Sequence, residues 1–103
     1  MKKSHAKWTL ICKILKPLAC SDRLGMFALL DNKDRNIEQL SWESKMCESS
    51  VSRHLRVLHN SGLIKKTKRG QQVFYRLDKF GCHLADDLER MTNCILSKHL
   101  GSN

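Results

Sequence analysis

At 103 residues the chain has room for one modest hydrophobic core, so a single domain over residues 1–103 is expected and a large catalytic cleft is not. Its 19 Lys and Arg against 10 Asp and Glu leave a formal charge of +9, a bias that attracts polyanions such as nucleic acid or an anionic membrane surface. Between Ser44 and Lys79 stand nine basic residues (Lys45, Arg53, Arg56, Lys65, Lys66, Lys68, Arg69, Arg76, Lys79) and two acidic ones (Glu48, Asp78), so the excess forms a patch, not a diffuse solubilising coat.

The opening run, MKKSHAKWTLICKILKPLAC, has the outline of a signal peptide with a lipidated cysteine, but Lys13 and Lys16 interrupt its apolar stretch and Pro17 sits poorly in a cleavage motif. No run approaches the roughly 20 apolar residues that span a bilayer. A cytoplasmic protein without a membrane partner is expected. Trp8, Ile11, Leu15 and Leu18 recur at spacings of three and four, predicting a helix over Lys7–Leu18 with one buried stripe, kinked or ended by Pro17. Ser21 as N-cap and Asp22 in the first turn open a second helix with Leu24, Phe27 and Leu30 on its core face, leading into the polar loop DNKDRN. Ile37 to Glu43 predicts a third short helix, joined by the tight connection SKM to a fourth. There Val51, Leu55 and Leu58 fall at i, i+4 and i+7 and must face the core. Ser49, Arg53, Arg56 and Asn60 then point outward, with Ser52 and His59 on one flank. Gly62 supplies a left-handed C-cap, and LIKKTK and VFYRL about the turn RGQQ predict a β-hairpin with a cationic tip. Phe80, Leu84, Leu88, Met91 and Ile95 mark a long last helix with a single apolar seam. No repeats or low-complexity linkers interrupt this order.

Helices followed by a basic hairpin give the winged helix-turn-helix layout, mostly α with a small β-hairpin wing. A helix bearing short hydroxyls and arginines fits the B-DNA major groove, where arginine bonds the guanine O6 and N7 acceptors in pairs and serine reaches base edges or phosphates. The candidate DNA contacts are Ser49, Ser50, Ser52, Arg53, Arg56 and His59 on the fourth helix and Lys66, Lys68 and Arg69 on the wing. His54 is expected beside His59 on the flank of that face. A polar stripe alone is as well explained by a solvated helix, and a winged scaffold docking an acidic protein, with only non-specific DNA affinity, would carry the same charges. The conjunction of tight turn, hairpin and local excess of positive charge favours DNA. The seam of Leu84, Leu88, Met91 and Ile95, with Trp8 and Ile11 from the first helix, exceeds what so small a core needs, so a two-fold interface is expected there. No nucleophile, base and orienting group come together, and no glycine loop cradles a phosphate, so neither an enzyme nor a cofactor is expected.

Five cysteines (Cys12, Cys20, Cys47, Cys82, Cys94), odd in number and without a CxxC pair, argue against a disulfide framework and a zinc ribbon. Cys47 stands where a helix N-terminus favours thiolate, although a small, partly buried cysteine is the plainer reading. Cys82, His83, Asp87, Cys94 and His99 share the last helix; scatter over its surface is favoured above a metal site across a dimer, and no metal is assigned. Cys82 and Cys94 lie about 18 Å apart along that helix and cannot bond within it.

The stretches LKPLACSDRL at the first two helices, SSVSRHLRVLHNSGLI at the fourth and RGQQVFYRL at the wing resemble the arsenic-repressor (ArsR) family of bacterial regulators, from about Leu15 to Leu77. The resemblance implies a homodimer built from the first and last helices, a partly palindromic operator, and repression until a metal ion or thiol reagent releases the DNA. It makes Ser49, Ser52 and Arg53 the base readers. The family's metal cysteines at the third helix fall on Asn36 and Glu38, and the last-helix metal positions on Lys79, Gly81, Thr92 and Ile95, so both metal sites are expected to be lost. Some members sense oxidants or sulfur species through a second-helix cysteine paired with one in the last helix; Cys94 matches the latter, while Ala28 occupies the former. Cys47 replaces the usual serine cap of the recognition helix, and Glu48 a common DNA-contacting glutamine. The candidate redox residues are therefore Cys47 and Cys94, in a dimeric repressor with thiol-based sensing or no effector.

Overall fold

The computed structural model describes residues 2–31 and 33–101, with side chains over residues 5–31 and 33–98. Helix α1 runs Lys2–Leu15, and Pro17 ends it in a single 3₁₀ turn, Lys16–Leu18. Helix α2, Ser21–Leu29, starts one residue before expectation, because the extended Cys20 and not Ser21 occupies the N-cap, without a side-chain hydrogen bond. Its buried face is Met26, Phe27 and the following Leu30. Leu24, expected in the core, is 42% exposed: it points instead into a groove between α2 and the last helix, beside Met91 and Ile95.

Helix α3, Ile37–Ser44, is opened by a reciprocal cap: Asn36 Oδ1 accepts from the Gln39 N–H at 2.8 Å, and Gln39 Oε1 accepts from the Asn36 N–H at 2.9 Å. Lys45 closes it at φ 60°, a left-handed conformation imposed on a non-glycine residue by the turn into α4. The Ser41 hydroxyl spans that turn by donating to the Met46 carbonyl. Helix α4, Glu48–Asn60, follows with Val51, His54, Leu55 and Leu58 buried. Gly62, at φ 75°, ends it: the Gly62 N–H donates to the His59 carbonyl at 3.0 Å and the Leu63 N–H to the Leu58 carbonyl at 3.1 Å, the paired bonds of a Schellman cap.

Strands β1 (Ile64–Arg69) and β2 (Gln72–Leu77) pair antiparallel from Ile64↔Leu77 to Arg69↔Gln72, around a two-residue turn that Gly70 enters at φ 63°. The α2–α3 loop adds a one-residue third rung, since Arg35 and Tyr75 exchange both backbone hydrogen bonds at 3.0 and 2.8 Å. Helix α5, Lys79–Gly101, then packs its first turns against the edge of the core. Gly81 allows its close approach: a Cβ there would overlap the Leu63 carbonyl oxygen, which already accepts from the Asp78 N–H.

Among the described residues the core is one cluster, Leu18, Met26, Phe27, Leu30, Leu40, Val51, Leu55, Leu58, Leu63, Ile64 and Leu77, with none from α1 or α5. Leu84 and Leu88 of α5 pack against its edge. Trp8, expected in a buried stripe, is 64% exposed, and Met91 and Ile95 are 58% and 53% exposed. The radius of gyration, 15.8 Å, exceeds the about 13 Å of a compact chain this long, as two projecting helices require. Among the described residues no helix is long and apolar enough to cross a membrane.

Candidate nucleic-acid interface

The amphipathicity of α4 follows from its sequence: the apolar residues that bury into the cluster force the hydroxyls and guanidiniums outward. Ser49, Arg53, Arg56 and His59 are exposed, and Ser50 and Ser52 half-exposed at its edge. His54 does not join them. It is buried against α2, its Nδ1 without a hydrogen-bond partner, and desolvation followed by the nearby Arg23 and Arg53 charges pushes its pKa below the usual histidine value. The reason is positional, since His54 precedes Leu55 and shares the inward arc with Val51 and Leu58.

Strand pairing sorts the wing cations into two sets. Lys66 and Lys68 pair with Tyr75 and Val73, so they stand on the strand face shared with Ile64 and Leu77, the face turned toward α4. Lys66 and Tyr75 there close a polar groove of about 290 Å³ with Ser52, Arg56, His59 and Asn60. Lys65, Arg69 and Arg76 stand on the opposite face with Phe74. Arg69 lies 4.9 Å over the Phe74 ring and pairs with Asp34 of the α2–α3 loop, whose Oδ1 is also 3.0 Å from Arg76 Nε. The sequence grouped Arg69 with the free cations of the tip; the fold gives it an internal partner. Nothing local marks Asp34, which meets the wing only because Arg35 pairs with Tyr75.

At the N-terminus of α4, Cys47 is exposed, contrary to the partly buried reading, and makes no backbone cap. Its Sγ lies 3.2 Å from the Ser49 hydroxyl and 3.3 Å from that of Ser50. Hydroxyls donating to the thiolate, Ser49 foremost, pull the thiol down to about 7. Cys94 is exposed on α5, whereas Cys82 turns toward the Leu77 carbonyl at the core edge. Asp87 pairs with Arg90 at 3.1 Å, and the His99 side chain lies outside the described residues. Among the described residues no three His, Cys, Asp or Glu side chains converge to hold a metal ion. Of the family's metal positions, Asn36 caps α3 and Gly81 packs on Leu63. Trp42, unremarked in the sequence, is 85% exposed on α3.

Residues 20–66 match the family model described as bacterial regulatory protein, arsR family. The chain is 32% identical over 77 residues to the transcriptional activator HlyU of Vibrio cholerae, covering 75% of this chain and 68% of that protein. It is 31% identical over 91 residues to the HTH-type transcriptional regulator NmtR of Mycobacterium tuberculosis, covering 88% and 74%. The chain belongs to the ArsR family. Its fold is the ArsR winged helix-turn-helix: reduced HlyU from Vibrio cholerae superimposes with a TM-score of 0.79 at 25% identity, over 88% of this chain and 97% of that one. The homodimeric winged helix-turn-helix domain of Mb0332 from Mycobacterium bovis does so with a TM-score of 0.76 at 21% identity, over 100% and 93%. As an ArsR-family member the protein is a DNA-binding transcription regulator, and α4 with its β-hairpin is the recognition helix and wing of that fold.

Proposed function

We propose that this ArsR-family protein acts in the cytoplasm, without catalysis, as a homodimer that occupies a partly palindromic operator and represses by excluding other proteins from that DNA. The observation that carries the reading is the groove in which Ser52, Arg56 and His59 of α4 meet Lys66 of the wing, because one rigid body then offers base-reading and phosphate-binding groups together. Ser49, Ser52 and Arg53 read bases, Arg53 as the bidentate group, with Ser50 and Arg56 beside them; Lys66 and Lys68 hold phosphates. The exposed Trp8, Met91 and Ile95 and the half-exposed Ile11 supply the apolar surface of the two-fold contact, with Leu84 and Leu88 backing it from the core edge. Both family metal sites are lost in this reading, and release, where it occurs, runs through the thiols of Cys47 or Cys94.

Binding to fragments selected from random DNA tests it. Arg53→Ala is expected to cost about 1–3 kcal/mol on the selected site and little on random DNA, whereas Lys68→Ala weakens both alike and flattens the salt dependence. Equal losses for Arg53→Ala on the two DNAs would remove the base-reading assignment. Zinc, cadmium or arsenite should shift operator affinity by far less than the coupling of about 1–3 kcal/mol typical of allosteric regulators. Because HlyU is named an activator, transcription from a promoter carrying the selected site decides the direction: output that rises with the protein overturns repression.

A further inference from the structure

Asp34 sits outside the groove just described, yet among the described residues it is the acidic group that pairs with the wing arginines. The Arg35↔Tyr75 rung fixes the α2–α3 loop along β2 and places the Asp34 carboxylate on the strand face that carries Arg69, Phe74 and Arg76. That carboxylate is 19% exposed and pairs with two guanidiniums at once, Arg69 at the wing tip and Arg76 one rung from the base. Phe74 holds the Arg69 guanidinium from beneath. Arg69 donates through Nη2 to Asp34 Oδ2, the same kind of oxygen that a phosphate would offer, although its side chain stays 55% exposed.

We propose that Asp34 is a specificity-determining residue: it withholds Arg69 from DNA, so that binding without sequence match is not strengthened by a freely moving tip cation. The inference rests on the reading that α4 and the wing meet DNA. When α4 is seated on its site, orientation is fixed, and Arg69, on the strand face turned away from α4, adds no phosphate contact. On random DNA nothing fixes orientation, and affinity follows the number of free cations. In each protomer Asp34 lowers the number at the wing tip by one without touching the groups that read sequence.

The test compares wild type, Asp34→Asn, Arg69→Gln and the double variant on selected and random DNA over a range of salt concentrations. Because the dimer carries the change in both protomers, Asp34→Asn should steepen the salt slope on random DNA by about 1.8, equivalent to about sixtyfold tighter binding at 0.1 M salt if the two proteins bind equally at 1 M. Affinity for the selected site should change less, so the ratio of the two falls. Arg69→Gln in the wild-type background should leave random-DNA binding nearly unchanged, and in the double variant it should restore the wild-type slope. Arg69→Gln requires no change at Asp34, so it reads the idea even if Asp34→Asn folds poorly: a loss on random DNA as large as that of Lys68→Gln overturns the inference. An unchanged slope in folded Asp34→Asn does so too. Failure of Lys68→Gln to weaken either DNA would instead overturn the placement of the wing on DNA, a separate result.

Discussion

Gly81 carries a demand that helix propensity alone misstates. On propensity, Gly81→Ala inside α5 should stabilise by about 1 kcal/mol. The Leu63 carbonyl occupies the place of the new methyl group, and that carbonyl is backbone, fixed by the Asp78 N–H. Gly81→Ala is therefore expected to destabilise by about 1–3 kcal/mol, read from urea midpoints; a gain in stability would refute the close packing of α5 on the β1 approach. His54 has an equally local signature. Its folded pKa lies below the unfolded value, so the unfolded chain binds more protons in the interval between them. The stabilising contribution of neutral His54 is present above about pH 6.5 and is lost as pH falls through the depressed folded value. His54→Leu should flatten stability over that acidic interval, and an unchanged pH profile would place the histidine in solvent. From sequence His54 was indistinguishable from His59, because a helical arc assigns a border residue to either side. Its burial is set by how α2 crosses α4.

Periodicity revealed helix α4 correctly, since three apolar residues at i, i+4 and i+7 leave one solution for its inward face. The Asn36 and Gln39 cap was also legible in principle, a polar residue followed three positions later by Gln before an apolar run. The turn between α3 and α4 was not, because Lys45 takes a left-handed conformation that its side chain does not advertise. The hairpin was read as one cationic tip, and only strand register divides its charges between two faces. Cys47 shows the same limit: its position was evident, but its acidity comes from two serine hydroxyls whose rotamers the sequence does not state. With the thiol at about 7, alkylation by iodoacetamide should rise steeply between pH 6 and pH 8 at Cys47. Ser49→Ala should move that profile toward higher pH. A Cys47 profile centred on the ordinary cysteine value of about 8.5 would remove the special reactivity. Alkylation places bulk at the N-terminus of the recognition helix, so operator affinity should fall with the modified fraction.

The winged body and its core follow from short-range patterns, whereas the projection of α1 and the distal half of α5 concerns surface that one chain does not cover. Leu84 and Leu88 lie against the core, so substituting either tests folding as much as association. Ile95, 53% exposed and outside the cluster, separates the two. Ile95→Asp is expected to sediment as a folded monomer at micromolar concentration while wild type sediments as a dimer; a wild-type monomer would refute the interface. Helix α1 has a further consequence. None of its described side chains joins the core, and an isolated helix of 14 residues is marginal in water. Its helicity, and with it the melting temperature, should then increase with protein concentration. Below the dimer dissociation constant, the concentration of assembled dimer varies as the square of the concentration of chains. Halving expression would reduce the dimer available to an unsaturated operator about fourfold, so the abundance of the protein would itself be a signal, read more steeply than any one-to-one ligand.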